Sequence, residues 1–446
     1  MDRRIRMLLG LTLLCALVGP VWADAPATDG LKPGDVLNQS NWQKAEGLLP
    51  PEVLKHYEAG EYANPIVDWS VDNFVWPPDF LEGCKRNEGR FDIGPEGQII
   101  DKATGKQPEY IIGHPFPTID PKDPKAGTKI IWNYMYRSWY FGSMLAISQV
   151  LWVSPKGIER RSDNKVHWQM FDGVPQQERI GNPQGFSYRN LIITMTPADL
   201  NGIAALSWRY REPGKRDQSW AFVPSLRRVR AVSPANRSDG FLGSDMAQDD
   251  GPFFDGKIED FTWRLVGEAD HYRLVDPLNL KREHESVWLP VEGAWRTNWP
   301  DDLKFLGYQD PNWKGVAWAP IGGALAKRRH WIVEAIPKDK YYLFGRLEMW
   351  IDKITFQGAW NRKFDWQGGL LNSFQVLSYM PLADTRPDGK VDYNQGSNMA
   401  FVCVENVKRN QATLAGIKTT PKGGFDLRIA FDPSLFETSA LGRFGK

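Results

Sequence analysis

After its first 23 residues the sequence has no apolar run of the roughly 18 residues that a membrane-crossing helix needs, so no later segment is read as a span. Cysteine is scarce. Cys15 lies in the N-terminal apolar run and only Cys84 and Cys403 follow it, which excludes a disulfide-rich scaffold and leaves one bridge or two buried thiols open. The histidines, His56, His114, His167, His271, His284 and His330, are scattered without an H-x-x-x-H pair or a Cys/His cluster, so no zinc site is expected. A Walker loop, a G-x-G-x-x-G after a strand and a G-x-S-x-G elbow are all missing, and Gly243-Ser244-Asp245 lacks the elbow's flanking residues. No cofactor is expected. Charge of one sign is lacking too: the formal net charge is +1, and removing residues 1–23 with their three Arg and one Asp makes it −1. A chain so near neutrality is a poor partner for nucleic acid.

What is present begins with "MDRRIRMLLGLTLLCALVGPVWADA". Arg3, Arg4 and Arg6 followed by an apolar stretch from Met7 to Val18 and the small-residue site Val21-Trp22-Ala23 read as a signal peptide over 1–23, with a soluble exported chain over 24–446. Leu14 before Cys15 argues against lipidation, and Arg6 argues against twin-arginine export.

The remaining signal is aromatic. Twenty Trp, 22 Phe and 14 Tyr beside 41 Gly and 32 Pro suit many short strands joined by tight turns better than long helices. Residues 40–62 carry the clearest helical pattern, with Pro51 in a first turn, Val53, Leu54 and Tyr57 on one face, and Gly60 at the end. Residues 64–129 are Pro- and Gly-rich and read as an irregular wrap or lid within an N-terminal segment of about 24–128. "KIIWNYMYRSWYFGSMLAISQVLWVS" (129–154) reads as a helix or strand leading into a strand. Glu212-Pro213-Gly214-Lys215 reads as the turn of a hairpin. Residues 328–382 read as an antiparallel meander in which Leu347, Met349 and Ile351 share one face and Arg346, Glu348 and Trp350 the other.

Two constellations carry chemical meaning. The acids Asp249 with Asp250, Glu259 with Asp260, and Glu334 with Asp365 are the candidate pairs for a secreted carbohydrate-active enzyme, which needs two carboxylates about 5 to 9 Å apart. The strand-like run "WAFVPSLRRVRAVS" ends in Arg227, Arg228 and Arg230. If it is one strand, Arg228 and Arg230 share a face and fork toward an anionic head, or they pair with Asp245, Asp249 and Asp250 in the loop that follows. Trp208, Trp220, Phe222, Phe261, Trp263, Trp331, Trp350, Trp360 and Trp366 lie in or next to strands and line either a packed core or an apolar cavity.

"WAFVPSLRRVRAVSPANRSDGFLGSDMAQDD", "FDGKIEDFTWRLVGEADH" and "RHWIVEAIPKD…GRLEMWIDKITFQGAWNRKFDWQGGLLNSF" resemble the bacterial export family called domain of unknown function 1329, itself similar to the LolA/LolB lipoprotein carriers. The shared pattern falls on Phe222, Pro224, Arg227 to Arg230, Trp331, Val333, Glu334, Pro337, Lys338, Arg346, Trp350 and Asp352. The resemblance implies a mainly β (α+β) fold: a large unclosed antiparallel β-barrel of LolA-like type with a helical plug or lid and long irregular wrapping segments. It further implies a non-catalytic periplasmic carrier or adaptor for a hydrophobic or amphipathic molecule, working with a resistance-nodulation-division type transporter and an outer membrane protein. On that expectation Trp208, Trp220, Phe222, Phe241, Trp263, Trp331 and Trp350 bind the ligand, and Arg228 and Arg230 stand at the cavity mouth. A scaffold that docks membrane partners without a ligand is the remaining alternative, and it requires an exposed apolar patch.

Overall fold

The computed structural model describes residues 30–69, 76–233, 237–276, 285–291, 294–298, 323–378, 383–393, 399–417 and 424–444. The signal peptide expected over 1–23, with Cys15, and His284 lie outside the described residues. The chain opens with β1 (Val36–Leu37), α1 (Pro51–Glu58), β2 (Asn64–Val67), α2 (Pro78–Asn87), β3 (Phe91–Ile93), β4 (Ile99–Asp101) and α3 (Ala126–Trp139). There follow β5 (Met144–Ser154), β6 (Gly157–Met170), β7 (Phe186–Thr196), β8 (Ala204–Tyr210), β9 (Gln218–Val223), β10 (Arg228–Val232), β11 (Phe261–Val275), β12 (Glu285–Leu289) and β13 (Ala294–Asn298). The last third holds β14 (Ala324–Pro337), β15 (Arg346–Asp352), β16 (Gly358–Phe364), β17 (Leu370–Ser378), β18 (Ala383–Thr385), β19 (Val391–Tyr393), β20 (Met399–Asn406), β21 (Gln411–Ile417) and β22 (Gly424–Leu427). No helix among the described residues is long and apolar enough to cross a membrane.

Eighteen strands share one sheet. Its main run is antiparallel throughout, in the order β10, β9, β8, β7, β6, β5, β21, β20, β17, β16, β15, β14, β11. β22, β13 and β12 extend from the start of β5, and β2 with β1 joins β14 in parallel. The two ends of the run, β10 and β11, are consecutive in sequence, yet among the described residues no pairing joins them. The barrel is therefore unclosed, and residues 233–260 connect its two edges.

Side-chain alternation sorts the strands between two covered faces. On the inner face α3 places Ile130, Ile131, Tyr134 and Met135 against Trp263, Trp331, Val333, Leu347, Met349, Ile351 and Phe374. α3 presses close to β11: a Cβ added at Gly127 would lie 2.8 Å from the backbone carbon of Arg264. On the outer face Val53, Leu54 and Tyr57 of α1 cover Trp350, Trp360, Leu377 and Leu414. A bidentate pair fixes this cover, Arg362 donating to Glu52 at 2.9 and 3.0 Å. Farther round the same face, Phe436 and Leu441 of the C-terminal segment pack on Leu191, Leu206 and Phe222.

Two expectations change, and the choice left open for the cysteines is decided. The 64–129 stretch contains α2, hidden in the sequence because Gly83 breaks its pattern; the glycine is there because a Cβ would come to 2.4 Å of the Ile112 carbonyl oxygen. The run 218–232 is a hairpin, not one strand: Pro224–Leu226 turns the chain and Arg227 occupies the left-handed region at φ 48°. Cys84 and Cys403 are free thiols in different clusters, each raised by burial, Cys84 to about 11.

Candidate functional site

α3 does not fill the barrel completely. Between its C-terminal half and β5 to β7 lies a cavity of about 110 Å³, partly open to solvent. Tyr134, Met135, Ser138 and Trp139 form the helix wall, and Met144, Ala146 and Ser148 of β5 with Trp168, Met170 and Tyr188 form the sheet wall. Pro252, Phe254 and Asp255 close it from the segment that links the two sheet edges. The spacing of Met144, Ala146 and Ser148 puts all three on one face of the strand, and Gly142 supplies the positive φ of 75° that takes the chain from helix to strand beneath the cavity.

Among the described residues Asp255 is the one charged residue on this wall. It accepts from Tyr188 Oη at 2.6 Å and lies 3.4 Å from Arg209, within a buried network in which Arg209 meets Asp217 at 2.8 Å and Arg237 meets both Asp217, at 3.2 Å, and Asp249. Burial holds the Asp255 and Asp249 carboxyls above the usual range although Arg209 and Arg237 pull the other way. Burial acts on Asp217 likewise, but there the two arginines prevail and the carboxyl is lowered. The network locks the linking segment to the edge of β9 and gives the apolar cavity one acidic corner.

None of the nine residues singled out from the sequence lines this cavity. Trp208, Trp220 and Phe222 lie on the outer face under the C-terminal segment, where Trp208 Nε1 donates to the Phe436 carbonyl at 2.9 Å. Trp263 and Trp331 are packed in the inner core. Trp350 faces the opposite way, stacked on His271 at 3.8 Å under the N-terminal cover. Phe241 sits half-buried in a tight turn. Arg228 and Arg230 are exposed on β10, and the register that sets Arg230 opposite Ala221 puts them on the face away from Phe222. Neither has a carboxylate partner among the described residues. Asp249 is taken by Arg237, Asp250 by Lys363, and Asp245 by Asn406 and Gln411. Of the acid pairs proposed for catalysis, Glu334 meets Arg264 and Arg346 and Asp365 meets Lys408, whereas Glu259 is buried near Lys257 and neither it nor Asp260 makes an ion pair among the described residues. Among the described residues no group of three His, Cys, Asp or Glu is placed to hold a metal ion.

A half-open antiparallel barrel, plugged by one helix and retaining a small apolar cavity beside the plug, defines the class. The chain belongs to the family described as "Protein of unknown function (DUF1329)", whose model matches residues 36–441. Among solved structures it is similar to a protein described as an outer membrane lipoprotein-sorting protein domain from Vibrio parahaemolyticus, at 16% identity, 72% of this chain, 100% of that one and a TM-score of 0.45. A DUF1329 family protein from Desulfovibrio piger matches at 18% identity, 72% and 99% coverage and a TM-score of 0.45. A LolA superfamily protein from Nitrosomonas europaea matches at 11% identity, 70% and 97% coverage and a TM-score of 0.38. Comparison with curated proteins gives no match.

Proposed function

We propose that this protein is a non-catalytic periplasmic carrier or adaptor that holds a hydrophobic molecule with a neutral polar end, passing it between an inner-membrane exporter and an outer-membrane partner. The observation that supports this is the cavity beside α3, apolar apart from one acidic corner. Asp255 repels a carboxylate placed next to it, whereas a hydroxyl can donate to it, so a sterol-like or alcohol-bearing ligand suits the wall better than a fatty acid. The cavity is smaller than the several hundred Å³ typical of ligand sites. At about 110 Å³ it compares with the cavity of about 150 Å³ that takes up benzene. It admits a ring or a short stretch of chain, and a larger cargo requires α3 or the 252–255 segment to move outward. The exporter and outer-membrane partners follow from the family resemblance, and the engaged acids favour carriage over hydrolysis.

The test is native mass spectrometry of protein purified gently from periplasm, with solvent extraction of whatever dissociates. A stoichiometric neutral lipid is the expected result; an empty protein that also fails to take up a fluorescent sterol would end the proposal. Ser148→Phe, at a half-buried position on the cavity wall, is expected to lower sterol-probe uptake at least tenfold while the melting temperature stays within a few degrees. Arg228→Ala combined with Arg230→Ala is expected to leave uptake of the neutral probe unchanged, because these side chains lie outside the cavity.

A further inference from the structure

We propose that the free edge of β10 is a docking site for an extended acidic segment of a partner protein, which adds to the sheet as one more strand. β10 pairs with β9 along Arg228–Val232, and no other backbone hydrogen bond reaches these residues among those described, so the second side of the strand presents a row of unpaired N–H and C=O groups. Arg228, Val229, Arg230 and Ala231 are all exposed, so an incoming strand meets side chains on both faces as well as the backbone.

The hairpin sorts these side chains. Pro224–Leu226 and the left-handed Arg227 turn the chain back, and the register sets Val229 opposite Phe222 and Arg230 opposite Ala221. Val229 and Ala231 therefore share the face of Phe222 and Trp220, on which the C-terminal segment packs. Leu226, 52% exposed, and Val229, 40% exposed, remain outside that cover. Arg228 and Arg230 project from the opposite face, so the edge offers an apolar row on one side and a basic row on the other.

Charge says which strand fits. From Gln218 to Ser238 the sequence has no acid, and Arg227, Arg228 and Arg230 make no ion pair among the described residues. Of the acids in neighbouring segments, Asp217 is taken by Arg209 and Arg237, and Glu437 by Arg189. Asp199 and Glu212 are exposed, but Lys215 and Arg216 share the turn of Glu212, and Asp432 lies near Arg443. Asp239 stands by the 338–345 turn between β14 and β15, where its neighbour Ser238 accepts from the Leu343 amide. Basic charge stays in excess with every one of these counted. A second copy of β10 is a poor occupant: antiparallel pairing centred on Arg230 sets that residue against itself, and pairing centred on Val229 sets Arg228 against Arg230. A strand that alternates acidic with apolar residues is the complement, its carboxylates forking to Arg228 and Arg230 while the residue between them packs beside Val229. Lipid is a poorer occupant, because a bilayer leaves the backbone row unpaired and Arg228–Val232 offers no Trp, Tyr or Phe. Docking at this edge does not depend on carriage through the cavity.

The probe is a synthetic peptide alternating glutamate with valine, titrated into the purified protein beside two controls, an alternating lysine and valine peptide and a peptide with its glutamates and valines in separate blocks. Binding of the first peptide alone is expected, weakened by salt and accompanied by slower hydrogen exchange of amides within 228–232. Arg228→Thr with Arg230→Thr is expected to lower its affinity roughly tenfold, and Arg228→Glu with Arg230→Glu to transfer binding to the lysine peptide. Methylating the peptide's backbone nitrogens at alternate residues should abolish binding at least for the set whose N–H groups face β10. Both positions are exposed, so the variants should melt with the parent, and sterol-probe uptake by each should be unchanged. Four results would overturn the proposal: no binding of the glutamate peptide, equal binding of the block peptide, binding that survives methylation of either set, or pelleting with phosphatidylglycerol vesicles in place of peptide binding.

Discussion

Asp352→Ala is expected to destabilise the fold by about 3–5 kcal/mol. Asp352 is fully buried and accepts from Arg328 Nε at 2.8 Å and Nη2 at 3.3 Å, with Arg273 3.6 Å away and equally buried. The same carboxylate accepts the amides of Ile354 at 3.0 Å and Thr355 at 2.9 Å, which closes the turn after β15. Truncation therefore leaves two buried guanidiniums without their shared anion and opens a turn. Burial alone would raise this carboxyl, but Arg328 and Arg273 hold it far below the usual carboxylate range. The sign follows: the pairing energy is complete above the unfolded-state value of about 3.9 and is lost only as pH falls through the lower folded value. Urea unfolding near neutral pH checks this. A lowered midpoint at unchanged slope is expected for Asp352→Ala, and Asp352→Asn should fall between it and the parent because the amide oxygen still closes the turn. A loss below about 1 kcal/mol would mean that water reaches the two arginines.

Asp352 also shows what the sequence displays and what it conceals. In "GRLEMWIDK" the alternation alone separates Leu347, Met349 and Ile351 from Glu348 and Trp350, and the structure sends the first set to the inner core and the second under α1. Periodicity finds faces well. It does not say what covers a face, so Trp208, Trp220 and Trp350 look like candidate cavity walls when they are in fact covered by the C- and N-terminal segments. The plug α3 was ambiguous between helix and strand because "KIIWNYMYRSW" is apolar nearly all round, as befits a helix buried on every side. The cavity was the least legible feature. Its walls come from Tyr134, Ser148, Met170, Tyr188 and Phe254, a set drawn from five separate segments with no shared spacing, and an apolar wall has the same composition as a core. The three arginines point to a site only if 218–232 is one strand; Pro224 flags the turn that takes in Arg227 and leaves Arg228 and Arg230 on the returning strand.

Loss of stability in mild acid is the other large expected effect. Burial lowers His114 to about 3, with Arg137 adding to it, and lowers His167 to about 4, with Lys165 adding to it. Burial likewise lowers His330 to about 3, Asp352 opposing, and places His271 well below its usual value. Each group is neutral in the folded chain but gains a proton on unfolding once pH drops below about 6.5, so its contribution is complete above that pH and is lost as pH falls toward the folded value. At about pH 5 each costs roughly 2 kcal/mol, and four together cost about 8 kcal/mol, comparable to the whole stability of an ordinary domain. His56 works in the other direction. Burial would lower it, but Glu405 and Glu61 outweigh burial and raise it, so its pairing is complete below about 6.5 and is lost as pH rises through the folded value. Asp249, Asp250, Asp255 and Glu259, raised by burial, work against this because the folded chain protonates them more readily, so the net expectation is a fall in urea-unfolding free energy from about pH 6.5 to 5 that is shallower than the histidines alone would give. His330→Leu removes one of the four titrations and should move the acid midpoint to lower pH. A flat profile between about pH 7 and 5 would mean that these rings are already protonated or water-bonded in the folded chain.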